Sequence, residues 1–412
     1  MRGPDLAAKV ARSFGAPYFY RLICAASPLS VFIPQSPIFG LLLASVLIQL
    51  FYALYFFGPF ARRASEAPAD APGPDTEPVS ILVCARNELD NLRQLLPLLL
   101  KQDYPAGFEI VLIDDRSRDD TYLYAQQLTQ YYPEKVRLVT ITGTPEGFSP
   151  KKYALTLGIK ASRYARLLFT DADCIPATNQ WLRLMQRGFG PAGAQPAADL
   201  VLGFSAYTAA PGFLNQLIRY ETLLTAAQYL SFGWRGWPYM GVGRNLAYTR
   251  ACFTATKGFA SHIRQLSGDD DLLVQDAVRQ GQRVAVVADP SAHTLSAPAD
   301  TWAGWWRQKR RHLSAGRAYR LADRLRVGLF IMANLFFYLS TIVLLFSHNN
   351  WVSLAVLFAL RTLVMGAVYV RFSHRLHQPV SVALLPLLDA AYFIQYLALG
   401  TSLFLNRTLR WK

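Results

Sequence analysis

The stretch LLFTDADCIP, residues 167–176, ends a strongly apolar run in two aspartates separated by one residue. Such a run is typical of a buried β-strand. Asp171 and Asp173 lie where this strand is predicted to end, and two carboxylates at this spacing can both reach a divalent cation. Solvated acids in an ordinary turn would give the same short pattern, so its meaning depends on the segments around it.

The segment before these aspartates alternates between apolar runs and amphipathic runs. The apolar runs VSILVCA, EIVLID, VRLVTIT and RLLFTD predict buried strands, and the segments between them predict helices. This alternation predicts βαβ units around a parallel sheet, in which ligands bind beyond the carboxyl ends of the strands. The predicted fold class is therefore α/β, with one such domain over residues 79–300.

Acidic side chains follow two more of these strands. Asp114 and Asp115 end the second strand, and Glu88 comes shortly after the first. Helix capping explains Asp119 well, but it does not explain acids at three strand ends. Lys151 stands at the start of the third helix, where a cation and the helix N-terminus can both meet a phosphate group.

The composition indicates membrane segments. The chain has 412 residues, of which 52% are hydrophobic and 17% charged, and its mean hydropathy is +0.17. A soluble enzyme of this length usually carries more charge. The formal net charge of +15 fits a surface against anionic lipid better than nucleic acid, because several basic residues flank apolar runs and no nucleic-acid-binding fold is recognisable.

The cysteines are scattered, without CxxC spacing, and two of them lie in or beside predicted strands. They are Cys24, Cys84, Cys174 and Cys252. Buried thiols in a reducing compartment are the expected state.

Four apolar segments are long enough to cross a bilayer. The predicted order is an N-terminal tail (1–37), a transmembrane helix (38–60), a Pro/Ala/Asp-rich linker (61–78), the α/β domain (79–300), an amphipathic interfacial segment (301–326), and three further apolar segments (327–346, 351–370 and 380–405). The tail does not resemble a cleavable signal peptide. The cations Arg62 and Arg63 place the domain in the cytoplasm by the positive-inside rule.

The sequence does not determine on which side of the membrane the two termini lie. Four full crossings would put both cationic tails on the outer side, against the positive-inside rule. The segment 380–405 contains Pro386, Asp389 and Gln395, and an interfacial or re-entrant course there would return the tail to the cytoplasm. The sequence leaves both courses open.

Four motifs, in this order and each after a predicted strand or at the start of a helix, resemble glycosyltransferase family 2. The matching residues are Ala85-Arg86-Asn87-Glu88; Asp114, Asp115, Ser117, Asp119 and Thr121; Lys151, Ala154 and Leu155; and Asp171 and Asp173. The resemblance covers residues 79–312 and implies a GT-A fold and an inverting enzyme that uses a nucleotide-diphospho-sugar. The apolar flanks resemble those of its membrane-bound branch.

The resemblance also implies the roles of these residues. A donor, most often UDP-linked in the family, would bind through Ala85, Arg86, Glu88, Asp115, Lys151 and Asp171. Mg²⁺ or Mn²⁺ would lie on Asp171 and Asp173.

The segment LSGDDDLLVQDAVRQG, residues 266–281, places three aspartates before an amphipathic helix. Acids at a helix N-terminus are favoured by the helix dipole, which is the plain explanation. The family carries a pair of acids here whose second member is the catalytic base. The resemblance therefore assigns the base to Asp270, with Asp269 on the acceptor side and Asp271 as the alternative base.

The segment WWRQKRRHLSAG, residues 305–316, contains Gln308, Arg311 and His312. These resemble the family's QxxRW motif, with His in place of Trp. They would complete the catalytic site, where an arginine can stabilise the leaving nucleoside diphosphate. The tryptophans and arginines also fit an interfacial helix on anionic lipid, and both descriptions can hold together.

The loop GWPYMGVGRNLAYTR, residues 236–250, contains Gly241, Gly243, Arg244 and Asn245 and resembles the family's glycine-rich acceptor-side loop. Gly243 and Asn245 are the residues that this resemblance places on the acceptor side. A glycine turn before a strand explains the same residues about as well.

The sequence thus predicts a glycosyltransferase of the bacterial inner membrane. Its acceptor would be a lipid or a growing cell-envelope polysaccharide, with membrane lipid and envelope-biosynthesis proteins as partners and no nucleic acid. Two rivals remain: a catalytically silent subunit of an envelope polysaccharide assembly machine, and a sugar nucleotidyltransferase. The second rival gives no role to Asp270 or to residues 308–312.

Overall fold

The computed structural model describes residues 36–63, 77–190, 197–346 and 351–405. The N-terminal tail up to residue 35, most of the predicted linker, Cys24 and the C-terminal NRTLRWK segment lie outside the described residues. The three described cysteines have free thiols; Cys174 and Cys252 are buried, as expected, whereas Cys84 is half-buried.

The centre of the domain is a seven-stranded mixed sheet with strand order β3-β2-β1-β4-β8-β6-β9, and a small sheet β5-β10-β7 lies beside it. The strands are β1 Val79–Ala85, β2 Phe108–Asp115, β3 Val136–Ile141, β4 Arg166–Asp171, β5 Cys174–Pro176, β6 Leu200–Leu202, β7 Ser205–Tyr207, β8 Leu246–Thr249, β9 Val284–Val286 and β10 Thr294–Ser296. The predicted parallel arrangement of β1 to β4 is confirmed. β8 is antiparallel to both of its neighbours.

The helices complete the domain and the membrane segments. They are α1 Pro37–Phe51, continued by a π-helical turn Tyr52–Phe57 and α2 Gly58–Arg62; α3 Leu89–Leu100, α4 Thr121–Tyr131, α5 Pro150–Ala161, α6 Trp181–Arg187, α7 Phe213–Trp234, α8 Arg250–Ala255, α9 Asp271–Arg279, α10 Trp302–Ala315, α11 Leu321–Leu345, α12 Trp351–Arg375 and α13 Leu385–Leu405. The three helices predicted between the first four strands correspond to α3, α4 and α5.

The continuous apolar runs of β1 and β2 are explained by burial on both faces. Leu82 and Val111 face one core, which contains α5 and α7. Ile81 and Val83 face a second core, which contains α3. A strand buried on both sides has no polar face, so it cannot show the alternation of a half-exposed strand.

The strand register brings the predicted motifs to one edge of the sheet. Ala85 of β1 lies beside Asp114 of β2, and Cys84 lies beside Asp171 of β4. Because these strands are parallel, their carboxyl ends open into the same cleft.

Four helical segments are long and apolar enough to cross a membrane: Pro37–Arg62, Leu321–Leu345, Trp351–Arg375 and Val382–Ser402. We refer to them as the first to fourth spans. The second span starts before the predicted residue 327, because its polar beginning is held by ion pairs of Arg320 and Arg326 with the buried Asp323. The third span likewise continues past residue 370, to Arg375.

The polar residues Asp389 and Gln395 of the fourth span are buried inside the protein. Asp389 and Gln395 are only 4% and 5% exposed, so they face neighbouring helices, as ionisable residues in membrane segments usually do. A full crossing of the membrane would therefore not expose these polar side chains to lipid. The crossing itself stays a prediction.

Helix α7 joins the domain to the spans. It is buried almost all round, as expected of a helix enclosed by other elements. The core on its side of the sheet continues without a break through α7 to residues of the spans, among them Tyr52, Phe330 and Leu388. The domain and the spans therefore share one packed interior.

Candidate active site

Lys151 joins two of the predicted acidic motifs. Its Nζ lies 3.0 Å from an oxygen of Asp171 at the end of β4 and 3.0 Å from an oxygen of Asp269 before α9. Burial opposes the charged form of Lys151, yet the carboxylates of Asp171, Asp269 and Asp270 outweigh it and raise the pKa of this amine well above its ordinary value. Lys151 is therefore a permanent cation between the strand ends and α9.

Asp270 caps the N-terminus of α9 and is held by two backbone amides. Its Oδ1 accepts a hydrogen bond from the amide of Asp271 at 2.8 Å, and its Oδ2 accepts one from the amide of Gly243 at 2.8 Å. A Cβ at Gly243 would lie 3.3 Å from the same Oδ2. The glycine at this position lets the loop approach the carboxylate closely enough to orient it.

The three consecutive aspartates have different electrostatic environments. Burial raises the pKa of Asp270, and the charge of Asp269 raises it further. The pKa of Asp269 is lowered, because its ion pair with Lys151 outweighs burial. Asp271 accepts a hydrogen bond from the hydroxyl of Tyr319, and burial together with Asp270 raises its pKa well above its ordinary value. Of the three, Asp270 lacks a side-chain partner in the described contacts and is suited to accept a proton.

Asp171 lines the same cleft as Asp269 and Asp270, and Asp173 follows two residues later, just after the end of β4. Burial and the charge of Asp171 raise the pKa of Asp173, so a cation beside the pair would relieve a real electrostatic cost. Among the described residues, no group of three or more His, Cys, Asp or Glu side chains could hold a metal alone. Two carboxylates nevertheless fit a hard divalent cation that takes its other ligands from phosphate and water.

Arg244 connects this pair of aspartates to the Gln308 motif. Its guanidinium lies 4.4 Å from the centre of the Tyr207 ring, and the hydroxyl of Tyr207 accepts a hydrogen bond from Gln308 Nε2 at 3.2 Å. The Nη1 atom of Arg244 is buried and has no hydrogen-bond partner among the described residues. A buried donor of this kind is suited to an anionic ligand.

His312 lies near the same group of cations. Although the residue is open to solvent, desolvation by the surrounding protein, together with Lys309 and Arg311, lowers the pKa of its imidazole well below the ordinary value. The lowered pKa favours the neutral imidazole, which can donate or accept a hydrogen bond without adding charge beside Lys309 and Arg311.

The loops after β1 and β2 are tied together by residues of the first two motifs. The amide of Asn87 donates to Ser117 Oγ at 3.0 Å, and Asn87 Oδ1 accepts from the amide of Arg118 at 2.7 Å. Asn87 has a φ of 57°, a conformation that asparagine adopts more readily than most residues. The amide of Glu88 donates to Thr121 Oγ1 at 2.9 Å.

The acids at the end of β2 are buried beside these loops. Asp115 accepts a hydrogen bond from Arg116 Nε at 2.8 Å. Asp114 Oδ1 is buried without a hydrogen-bond partner among the described residues. Ala85 and Arg86 lie immediately before the loop, at the end of β1. This is the predicted nucleotide end of the site.

Asn245 lies in the core and not in the cleft. It is fully buried; its Oδ1 accepts from Trp181 Nε1 at 3.0 Å, and its Nδ2 donates to the carbonyls of Phe204 and Ala292 at 2.8 Å. With its amide used in this way, its position gives no support to an acceptor-side role. Lys152, the neighbour of Lys151, is also structural, because its Nζ donates to the carbonyls of His262 and Ser267.

Two residues near the cleft, Tyr207 and Tyr319, were not assigned from the sequence. Arg244 was noted there only as part of the glycine-rich loop, beside Gly243, and not as a partner of the Gln308 motif. Tyr207 ends a three-residue strand and Tyr319 follows α10, so nothing local marks either residue. Both enter the site through contacts between residues far apart in the sequence.

We expect Asn245→Ala to lower the free energy of unfolding by about 2–4 kcal/mol, because it leaves the Trp181 donor and two carbonyls without partners. Thermal unfolding of the detergent-purified protein measures this. Asn179→Ala, at an exposed site, is the control and should change stability by about 0.5 kcal/mol or less. Unchanged stability with lost activity would instead place Asn245 on the acceptor side.

Comparisons with known proteins find similar glycosyltransferases. The chain is 27% identical over 238 residues to "Probable glycosyltransferase YdaM" of Bacillus subtilis (strain 168), covering 57% of this chain and 54% of that one. It is 31% identical over 132 residues to "Glycosyltransferase AglE" of Haloferax volcanii, covering 32% of this chain and 40% of that one. The chain thus spans about half or less of the length of these curated relatives.

A solved structure has the same fold. It is the mannosyltransferase PcManGT of Pyrobaculum calidifontis in complex with GDP-Man and Mn²⁺, with a TM-score of 0.55 and 17% identity over 86% of this chain and 98% of that one. The profile of the family described as "Glycosyltransferase like family 2" matches residues 74–315, more than half of the chain. With a GT-A fold and four apolar helices beside it, the chain belongs to glycosyltransferase family 2.

Proposed function

We propose that this chain is an inverting glycosyltransferase that moves a sugar from a nucleotide-diphospho-sugar to a membrane-associated acceptor. The observation that carries the proposal is the position of Asp270. It is a carboxylate with a raised pKa, fixed by two backbone amides and sharing one cleft with Asp171, Lys151 and Asp269. Inversion requires one such base on the acceptor side and charge stabilisation on the donor side.

Asp270 acts as the general base in this proposal. Its carboxylate takes the proton of the acceptor hydroxyl as that oxygen attacks the anomeric carbon from the side opposite the leaving group. The amides of Gly243 and Asp271 hold the carboxylate in one orientation, which reduces the entropy lost on reaching the transition state. The raised pKa makes Asp270 a stronger base than an ordinary carboxylate.

The donor binds at the strand ends. Asp114, Asp115 and the loop of Ala85, Arg86 and Glu88 surround the nucleoside, and the buried, unpartnered Asp114 Oδ1 supports a hydrogen-bonding ligand there. Asp171 and Asp173 would hold Mg²⁺ or Mn²⁺, and the ion would supply positive charge for the diphosphate. Lys151 and Arg244 provide the fixed cations of the cleft, and we add Arg244 to the diphosphate-binding residues.

The leaving group departs toward the Gln308 motif. Arg311 supplies positive charge for the nucleoside diphosphate, and neutral His312 offers a hydrogen bond. Gln308 acts through Tyr207, whose ring supports the guanidinium of Arg244. Family resemblance favours UDP, whereas the Pyrobaculum protein was solved with GDP-Man, so both nucleotides belong in an assay.

The acceptor we favour is a membrane lipid. The interior of the four spans is filled by packed side chains, among them Gln49, Phe337, Arg361 and Asp389, which argues against passage of a polymer through this bundle. The proposed location is the bacterial inner membrane, with the catalytic domain on the cytoplasmic side. A ladder of products would instead indicate a growing polysaccharide.

We expect the purified protein to release nucleoside diphosphate from one donor in a panel of UDP- and GDP-sugars with Mn²⁺, in the presence of membrane lipid extract. Asp270→Asn should lower this rate by about a hundredfold or more, because the amide cannot accept the proton. Donor binding should remain, since Asp270 does not face the nucleotide in this proposal.

The exposed acid Asp90 provides the matched control, and Asp90→Asn should behave as wild type. Absence of both turnover and donor binding in wild type would support the silent-subunit alternative. Donor binding without turnover would instead indicate a missing acceptor or partner. A requirement for a nucleoside triphosphate and a sugar phosphate would support the nucleotidyltransferase.

We expect Asp173→Asn to weaken the binding of the metal ion that turnover requires. The concentration of Mn²⁺ that gives half-maximal rate should rise by about tenfold or more, because one of two carboxylate ligands is lost. Titration of Mn²⁺ at fixed donor concentration measures this. A turnover with the wild-type metal dependence would show that Asp173 does not bind the metal.

We expect kcat/KM to decrease as the pH is lowered. The apparent pKa of this acidic limb should be higher than the ordinary aspartate value of about 3.9. The sign follows from the raised pKa of Asp270: the active, deprotonated form disappears earlier as the pH falls. Asp269→Asn should move this limb to lower pH, since it removes the neighbouring negative charge. A limb that does not move in this variant would assign the titration to another group.

A further inference from the structure

All four spans and the catalytic domain meet at one buried polar cluster, which we call the membrane node. Asp389 of the fourth span accepts hydrogen bonds from Arg361 of the third span and from Tyr338 of the second. Arg361 Nε donates to Gln49 Oε1 of the first span at 2.8 Å. Tyr220 of α7 donates to Asp389 Oδ1 at 2.9 Å.

Burying the polar groups of the membrane node costs free energy unless each group has its partner. Gln49, Arg361 and Asp389 are at most 4% exposed, and a charge among apolar helices is tolerated only when it is paired. Removing one partner leaves the others unsatisfied, so the cluster favours one relative position of the helices. Because Tyr220 belongs to α7, that position includes the catalytic domain.

A second ion pair, between a buried and a half-buried side chain, connects α7 to the motif helix α10. Glu221, the residue after Tyr220, forms an ion pair with Lys309 at 2.8 Å, and the side chains are 4% and 14% exposed. Lys309 directly follows Gln308. Helix α7 is therefore held on one side by the membrane node and on another by the helix that carries the Gln308 motif.

The spacing along α10 shows what the ion pair would control. Trp305 and Lys309 lie one helical turn apart and form a stripe; Trp305 is 1% exposed. Gln308 and His312 form the neighbouring stripe, also one turn apart. Fixing the first stripe against the protein interior sets the rotation of the helix, and with it the direction of the second stripe.

We propose that Glu221 and Lys309 are positioning residues, and that the membrane node fixes α7 so that this pair turns Gln308, Arg311 and His312 into the cleft. The proposal rests on the proposed function, because its kinetic effect is on glycosyl transfer. In this proposal, neither Glu221 nor Lys309 contacts the substrate. The expected signature is therefore a lower kcat with donor affinity little changed, since the strand ends remain intact.

The first experiment is a double-mutant cycle on the pair. Glu221→Gln and Lys309→Gln should each lower kcat by about tenfold or more, with the donor dissociation constant within about twofold of wild type. The double variant, which removes both charges, should recover part of the loss, because no unpaired buried charge remains. Arg307→Gln, an exposed cation on the same helix, is the control and should retain wild-type kcat.

The second experiment tests the link to the membrane node. Tyr220→Phe removes only the hydroxyl that donates to Asp389, and its loss of kcat should be less than additive with that of Lys309→Gln. Tyr229→Phe is the matched control, because its hydroxyl lies on the same helix but donates to the carbonyl of Gly203 within the domain. Additive effects would show that the node and the pair act separately.

Hydrogen exchange separates this proposal from the proposed function. Amides of residues 302–315 should exchange about tenfold faster in Glu221→Gln than in wild type, whether or not transfer is detected. If wild type shows no transfer but Glu221→Gln still exchanges faster than wild type, the proposed function is rejected and the positioning role is retained. Unchanged exchange, or kcat within about twofold of wild type in both single variants of an active enzyme, would overturn the positioning role.

Discussion

The ion pairs of Lys151 are the constraint on which the cleft depends. This one amine joins Asp171, at the end of β4, to Asp269, before α9, so it connects parts of the chain that are about a hundred residues apart. Without it, the acids at these two places would repel each other. The cleft can hold so many carboxylates because a half-buried cation lies between them.

The protein uses the same solution in the membrane region. Asp389 and Arg361 are buried among apolar helices and are stabilised by partners from every span and from α7. In both places a charge withdrawn from solvent, half-buried at Lys151 and buried at Arg361, is supported by residues from distant parts of the chain. Such clusters contribute little net stability compared with apolar packing, but they distinguish one arrangement of the elements from slightly shifted alternatives.

The sequence predicted the parts of this structure that depend on local patterns. The first four strands, their helices and the acids at their ends follow from hydrophobic runs and chain order, and the structure confirms them. Local patterns could not predict that Asn245 is buried against Trp181, or that Tyr207 supports Arg244, because these contacts join residues far apart in sequence. The start of the second span at Leu321 was missed for a related reason: ion pairs of Asp323 keep a polar segment helical.

Under the proposed function, the packing also restricts which acceptors can reach Asp270. The domain core continues through α7 into the spans, and the motif helix α10 is separated from the second span only by residues 316–320. The cleft therefore cannot move freely away from the helices beside it, as it could on a flexible linker. If these helices lie in a bilayer, the height of Asp270 above its surface is fixed. A fixed height suits an acceptor that is itself anchored in the membrane, because its hydroxyl returns to the same level at every encounter.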